Sequence, residues 1–188
     1  MRHIKPLLLV LVLLFAATGS TYAQEHLKFM GIPLNGTIDN FQQKLAAKGI
    51  YVDKEWNKRA RFGKRYFKGK FTGETCHISI FYTKKKIVYG AQVYYSSSNE
   101  ADADIFYKKI KILLQSKYGN EYTKTEMKNG YEQFTVGILN PDGSLFGSIF
   151  LNMDKDRINY GETLYSVAVS YYDKKKFQKY QQEQLNDI

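Results

Sequence analysis

Positively charged and aromatic side chains are concentrated in one stretch of the chain, residues 54–71. Lysine and arginine attract anions, and tryptophan and tyrosine offer flat surfaces on which rings stack, a combination that suits single-stranded nucleic acid or anionic sugars. In a second interpretation the aromatic side chains face the core and the lysines coat the outside. The candidate binding residues are Lys54, Trp56, Lys58, Arg59, Arg61, Lys64, Arg65 and Tyr66.

A nucleophile with a base is the next chemistry to consider. The chain has one cysteine, Cys76, so no intramolecular disulfide can form, and its histidines beyond residue 23 are His26 and His77. Adjacent side chains on a strand point to opposite faces, so Cys76 and His77 do not form a dyad with each other. The simplest interpretation of Cys76 is a small core residue. A thiol or serine hydrolase that uses His26 stays as an alternative.

Carboxylates are the other candidate catalytic groups. Glycoside hydrolysis needs two acids about 5–10 Å apart, and Glu74, Glu132 and Glu162 are candidates by residue type alone. The aspartates Asp154 and Asp156 are expected in a polar loop that lacks the glycine and glutamate of a calcium loop. We therefore expect no metal site and no cofactor, and we assign no catalytic residue. A small hydrolase built on carboxylates stays as the alternative function.

The first 23 residues have the parts of a secretory signal peptide. Arg2 and Lys5 form a basic start, residues 7–17 form an apolar run, and Thr21–Ala23 place small residues at a cleavage site. The apolar run is shorter than the roughly 20 residues that a membrane span needs. We expect cleavage after about Ala23 and export to the periplasm or beyond; an uncleaved N-terminal anchor is the alternative.

The formal net charge of +10 favours contact with anionic partners. The expected partners are an anionic polysaccharide, a membrane surface or an acidic protein, and export makes nucleic acid the less expected ligand. Solubility alone is the other explanation of the charge. Neither the identity of the partner nor the oligomeric state follows from composition.

Two long antiparallel strands, joined by a basic turn at Lys84–Lys86, are predicted between Glu74 and Tyr95. In both, β-branched and aromatic residues recur at every second position, the period of a half-buried sheet. This hairpin is the predicted centre of the core. Cys76, Ile78, Ile80 and Tyr82 share one face of the first strand, and Ile87, Tyr89, Ala91, Val93 and Tyr95 share one face of the second.

Two amphipathic helices are predicted to cover this sheet. The first begins at the cap residue Thr37 and ends near Lys48, and the second begins at Asn99 and ends near Tyr118. Side chains such as Thr and Asn accept the free N–H groups of a first helical turn. The apolar stripe of the second helix is expected to include Leu113.

Further strands are predicted between residues 122 and 172, joined by hairpins rather than crossovers. The sequence therefore predicts an α+β fold in helix–meander–helix–meander order. Its antiparallel sheet has about six to eight strands, and the helices pack on one face. We expect a single domain over residues 24–172 and a polar tail or short helix over 173–188. The similar layout of the two halves suggests an internal duplication as a hypothesis.

The segment Leu27–Gly49 has the pattern aromatic, any residue, Gly-Ile-Pro, hydrophobic, any residue, Gly, followed by a helix that ends in Lys-Gly. It resembles the opening of small exported proteins of uncharacterised function from Bacteroides-type bacteria, and Tyr118-Gly119 continues the likeness weakly. The resemblance covers about a fifth of the chain beyond residue 23 and implies a periplasmic or secreted location, without site residues. The helix-plus-meander layout is also similar to exported inhibitor and PepSY-like modules, a likeness of fold that carries no function.

Overall fold

The computed structural model describes residues 26–120, 123–128, 130–157 and 163–185. The predicted signal peptide and Glu162 lie outside these residues. The strands are β1 (Lys28–Phe29), β2 (Ile32–Pro33), β3 (Tyr51–Val52), β4 (Lys64–Phe71), β5 (Glu74–Tyr82), β6 (Val88–Ser97), β7 (Thr123–Lys128), β8 (Tyr131–Leu139), β9 (Leu145–Arg157) and β10 (Thr163–Asp173). The helices are α1 (Ile38–Ala46), α2 (Lys54–Asn57), α3 (Glu100–Tyr118) and α4 (Lys174–Leu185).

Eight of these strands form one antiparallel sheet in the order β3-β4-β5-β6-β10-β9-β8-β7. Helix α1 precedes the meander β3–β6, and α3 precedes the meander β7–β10. The last strands of the two meanders pair at the centre of the sheet, where Val93 lies opposite Val169. The predicted α+β class and element order are confirmed. The two halves share this layout, with α2 between β3 and β4 of the first, and an internal duplication stays a hypothesis.

Helices α1 and α3 begin where the sequence predicts. The hydroxyl of Thr37 accepts the N–H of Asn40 at 3.3 Å, and the side-chain oxygen of Asn99 accepts the N–H of Ala101 at 2.9 Å. Because each cap satisfies a backbone donor that lacks a partner within its helix, it stabilises the first turn. Among the described residues, no helix combines the length and hydropathy that a bilayer span requires.

Helices α1 and α3 pack on the same face of the sheet, as predicted. Residues of both helices and of the central strands belong to one buried cluster. The ring of Phe106 stacks on that of Tyr95 with a centroid distance of 4.5 Å, which fixes α3 against β6. The position predicted for Leu113 is wrong, since its side chain is 48% exposed, whereas Tyr107 is buried. Successive helical positions differ by about 100°, so Leu113 and the buried Leu114 cannot both face the sheet.

Helix α4 follows β10 directly and turns across the end of the sheet. Its Phe177 lies 5.4 Å, centroid to centroid, from Tyr172. Tyr172 points away from the face that buries Tyr171, because side chains alternate along a strand. A carboxylate oxygen of the buried Asp173 accepts the N–H of Lys176 at 3.0 Å and so satisfies a donor in the first turn of α4.

At the start of the basic stretch, Lys54–Asn57 form the helical turn α2. One further sequence prediction needs correction. The polar loop expected from Asp154 is instead the end of β9, where Asp154 pairs with Ser166 and Arg157 with Thr163. Ladder hydrogen bonds join backbone groups, so a strand can continue past the last apolar side chain.

Candidate functional site

Helix α2 is held against β4 by hydrogen bonds at both ends. One carboxylate oxygen of Asp53 accepts the N–H groups of Glu55 and Trp56, both at 3.1 Å. The amide nitrogen of Asn57 donates to the carbonyl oxygens of Asp53 and Tyr66, both at 2.6 Å. In return, the N–H of Tyr66 donates to the side-chain oxygen of Asn57 at 3.1 Å. These bonds fix the turn that carries Trp56, although none of the residues of α2 is buried.

The indole of Trp56 contacts two aromatic rings at the surface. It stacks on the imidazole of His77 with a centroid distance of 4.2 Å and an interplanar angle of 14°. It meets Tyr66 edge to face at 5.4 Å. The side chain is nevertheless 42% exposed. Trp56 is therefore supported from behind and open to solvent in front, and the interpretation that the aromatic residues of this stretch all face the core does not hold for it.

His77 is also close to a carboxylate. Its Nδ1 lies 3.3 Å from the second carboxylate oxygen of Asp53, without the alignment of a hydrogen bond. The side chain of Asp53 is only 11% exposed. Asp53 therefore caps the turn that carries Trp56 and also lies beside the imidazole on which Trp56 stacks, which couples the two aromatic residues through one carboxylate.

Three cations lie next to Trp56 along the chain. Arg59 and Arg61 are exposed in the connection between α2 and β4, and Lys64 is partly buried at the start of β4. The ammonium of Lys64 lies over the rings of Phe81 and Tyr66, at 4.9 Å and 5.7 Å from their centroids. Burial, and then the positive charge of Arg61, lower the pKa of Lys64. The surroundings of Lys64 thus disfavour its positive charge.

None of these three cations pairs with a carboxylate among the described residues. The contrast with neighbouring cations is direct, since Lys58 contacts Glu55 at 2.8 Å. We call Trp56, Arg59, Arg61, Lys64 and Tyr66 the basic-aromatic surface. It combines an exposed indole with cations that have no protein counter-ion in the part of the chain the structure describes.

Two shallow cavities run along the basic-aromatic surface. They share Arg59 and Tyr66 and are therefore adjacent; we call the two together the groove, and the lining of the second includes Tyr180 of α4. A third cavity, of about 530 Å³, lies on the other side of Trp56. The first cavity, of about 500 Å³, is lined by Glu55, Trp56, Lys58, Arg59 and Tyr66. The second, of about 460 Å³, is lined by Arg59, Arg61, Phe62, Gly63, Lys64, Tyr66, Phe81, Tyr89 and Tyr180.

The structure brings together most of the predicted binding residues, but Arg65 lies apart from them. Its guanidinium donates to the carboxylate of Asp39 and to the side chain of Gln42, both at 2.8 Å. This hydrogen bond holds the pKa of Asp39 below its usual value. Arg65 lies between Lys64 and Tyr66 on a strand, so its side chain must point to the opposite face, toward α1. Lys54 lines the third cavity, on the far side of Trp56.

Sequence reasoning missed the aromatic residues that complete the groove. Phe62 lies within the basic stretch but was not among the candidate binding residues. Its side chain is 65% exposed and meets Tyr82 edge to face, with a centroid distance of 6.1 Å. Tyr89 and Tyr180 stack at 4.8 Å and come from β6 and α4. Their sequence separation left no local signal, and only the docking of α4 brings them to Lys64.

The catalytic alternatives find little geometric support. Cys76 is 1% exposed, and burial, followed by the charge of Glu74, raises the pKa of its thiol to about 12. The imidazole of His26 is 3.4 Å from the carboxylate of Asp173, at the start of α4. The thiolate is the nucleophilic form of cysteine, so a thiol held neutral is a poor nucleophile.

We expect Cys76 to resist alkylation in the native protein at neutral pH and to react completely after denaturation. The physical reason is that the thiolate is scarce and the sulfur is buried. Mass spectrometry after treatment with iodoacetamide, with and without urea, measures this difference. Rapid labelling of the folded protein, on the timescale of a free thiol, would contradict the burial described for β5.

The structure also gives little support to the candidate catalytic carboxylates. Glu132 accepts a hydrogen bond from the hydroxyl of Tyr107 at 2.9 Å and pairs with Lys111. The hydrogen bond from Lys111 is the main cause that lowers the pKa of Glu132. A general acid needs the opposite shift at neutral pH. Glu74 is exposed, and no group of His, Cys, Asp or Glu suited to a metal ion occurs among the described residues.

Comparison with known proteins identifies no family for this chain. No protein-family model matches the chain, and neither a curated protein nor a solved structure matches it.

Proposed function

We propose that this protein is an exported, non-enzymatic binding module that takes an anionic partner on the basic-aromatic surface. The observation that carries the proposal is the absence of a carboxylate partner for Arg59, Arg61 and Lys64 among the described residues. Export is supported by the signal-like pattern of residues 1–23.

The electrostatics of the groove favour an anion over water. Partial burial, and then repulsion by Arg61, destabilises the charged state of Lys64. A bound anion would offset that repulsion and replace the missing counter-ion. Arginine is suited to this role, because its planar guanidinium can donate two parallel hydrogen bonds to a carboxylate, sulfate or phosphate.

The arrangement favours binding over catalysis. The titratable side chains that line the second cavity are cations and tyrosines, with no carboxylate, thiol or imidazole beside them. Glu55, in the first cavity, is paired with Lys58. These side chains can hold and orient an anion. Acid–base catalysis instead requires a group whose pKa lies near the working pH.

Charge reversal at two arginines tests the proposal. We expect the Arg59→Glu, Arg61→Glu double variant to bind soluble heparin about tenfold more weakly at low salt, a change of about 1.4 kcal/mol. It should also elute from immobilised heparin at lower salt, because each lost contact reduces the number of counter-ions released. Isothermal titration calorimetry and salt-gradient chromatography measure the two effects.

The matched control reverses the same amount of charge elsewhere. Lys117 and Lys128 are exposed on α3 and on the edge strand β7, at the other end of the sheet from β4. The Lys117→Glu, Lys128→Glu variant should keep most of the affinity for heparin. Equal losses in the two double variants would show that net charge alone causes binding, and the proposed site would fall.

A further inference from the structure

The two ends of the groove differ in chemistry. Around Trp56 the charges are mixed, with Asp53 as the cap of α2 and Glu55 paired with Lys58 at 2.8 Å. Around Lys64 the charged side chains are cations only. A ligand that fits both ends must therefore present an uncharged face with hydrogen-bonding groups at Trp56 and an anionic group toward Lys64.

The Trp56 end is suited to a sugar ring. The apolar C–H face of a pyranose packs on an aromatic plane, and its hydroxyls need donors and acceptors at the rim. Trp56 offers an indole that is 42% exposed and backed by the imidazole of His77. Glu55 supplies acceptors and Lys58 supplies donors in the same cavity. Because α2 is fixed by the bonds of Asp53 and Asn57, the indole is ordered before a ligand arrives.

The Lys64 end is suited to the acidic group of a neighbouring ring. Arg59 lines both cavities, so a ligand that occupies both lies beside Trp56 in one and beside the unpaired cations in the other. Tyr66 also borders both cavities and provides a second aromatic side chain beside the first. The two adjacent cavities can thus hold different rings of one linear ligand.

We infer that the anionic partner is an acidic glycan, a chain of sugar rings that carry carboxylate groups. One ring packs on Trp56 while a carboxylate of the chain pairs with Arg59, Arg61 and Lys64. This inference rests on the proposed function and narrows its ligand class. Single-stranded nucleic acid is the less expected class, because the signal-like pattern of residues 1–23 predicts export.

Trp56 is the only tryptophan of the chain, so its fluorescence reports directly on this site. We expect hexagalacturonate to shift or quench the emission of the purified protein in a saturable titration. Fully methyl-esterified hexagalacturonate keeps the rings but loses the charges, and it should bind at least about tenfold more weakly. A thymidine oligonucleotide that carries the same number of charges should also bind more weakly than hexagalacturonate.

Substitutions at Trp56 give a second, independent measurement by calorimetry. The Trp56→Ala variant is expected to lose about tenfold in affinity for hexagalacturonate, and Trp56→Phe should recover part of that loss because it restores a flat ring. The control Tyr51→Ala removes an exposed aromatic side chain outside the shared groove and should have little effect.

These measurements distinguish the assignment of an acidic glycan from the proposed anion-binding function. If heparin binding depends on Arg59 and Arg61 while hexagalacturonate leaves the emission of Trp56 unchanged, the glycan assignment is wrong and the anion-binding surface stands. If the oligonucleotide binds as tightly as hexagalacturonate, the surface does not distinguish the two anions and the glycan assignment is wrong. If the arginine variant binds heparin like the wild type, both ideas fail.

Discussion

Replacing Phe41 by alanine is expected to lower the free energy of unfolding by about 3–5 kcal/mol. Phe41 is 1% exposed and lies on α1 between Ile38 and Leu45, which are also fully buried. The substitution removes the ring from the interface between α1 and the sheet and leaves a cavity that close-packed neighbours fill only in part. The loss is large against the roughly 5–15 kcal/mol of a typical domain. Urea denaturation followed by circular dichroism measures it.

The control for Phe41 lies two positions away on the same helix. Gln43 is exposed, and its backbone carbonyl, which accepts the N–H of Ala47, is unchanged by the substitution Gln43→Ala. We expect that variant to stay within about 0.5 kcal/mol of the wild type. Comparable losses in both variants would mean that α1 does not pack on the buried face of the sheet as described, and the account of the core would fail with it.

Replacing Gly69 by alanine is expected to cost about 1–3 kcal/mol of stability and to change the emission of Trp56. A methyl group on Gly69 would lie 2.7 Å from Cγ1 of Ile50 and 3.0 Å from its Cα. Ile50 is fully buried and leads directly into β3, which precedes the turn that carries Trp56. Because one of the clashing atoms is backbone, β3 must move rather than a side-chain rotamer alone.

Thermal unfolding and tryptophan fluorescence together measure this coupling. Lys70→Ala is the matched control, since Lys70 is exposed on the next position of β4 and its side chain points away from Ile50. That variant should leave both the melting temperature and the emission of Trp56 nearly unchanged. An unaltered melting temperature for Gly69→Ala would show that β3 and β4 are packed less closely than described.

Local sequence patterns identified most, but not all, of the candidate site. Residue types alone selected Trp56, Arg59, Arg61, Lys64 and Tyr66, and the structure places these five together. Arg65 was selected by the same reasoning, but it lies on the other side of β4. The two-residue period of a strand separates it from its neighbours, so a correct assignment of β4 would have excluded it from the sequence alone.

Other features of the site had no local signal. The stacked pair Tyr89 and Tyr180 comes from β6 and α4, and the partner of Arg65 is Asp39, 26 positions earlier in the chain. Leu113 shows the same limit on α3, since periodicity identified an apolar stripe but not its rotation toward the sheet. Such contacts depend on how distant elements dock, which neither propensity nor periodicity encodes.

The sequence by itself determined the class of the fold, because strand and helix periods, caps and turn residues act over a few positions and agree with one another. It also determined the positive charge and the single thiol, which are matters of composition. Only the tertiary structure decided which cations keep a carboxylate partner and which do not. That choice depends on distances of a few ångströms between residues far apart in the chain, and these distances exist only once the two meanders have joined at β6 and β10.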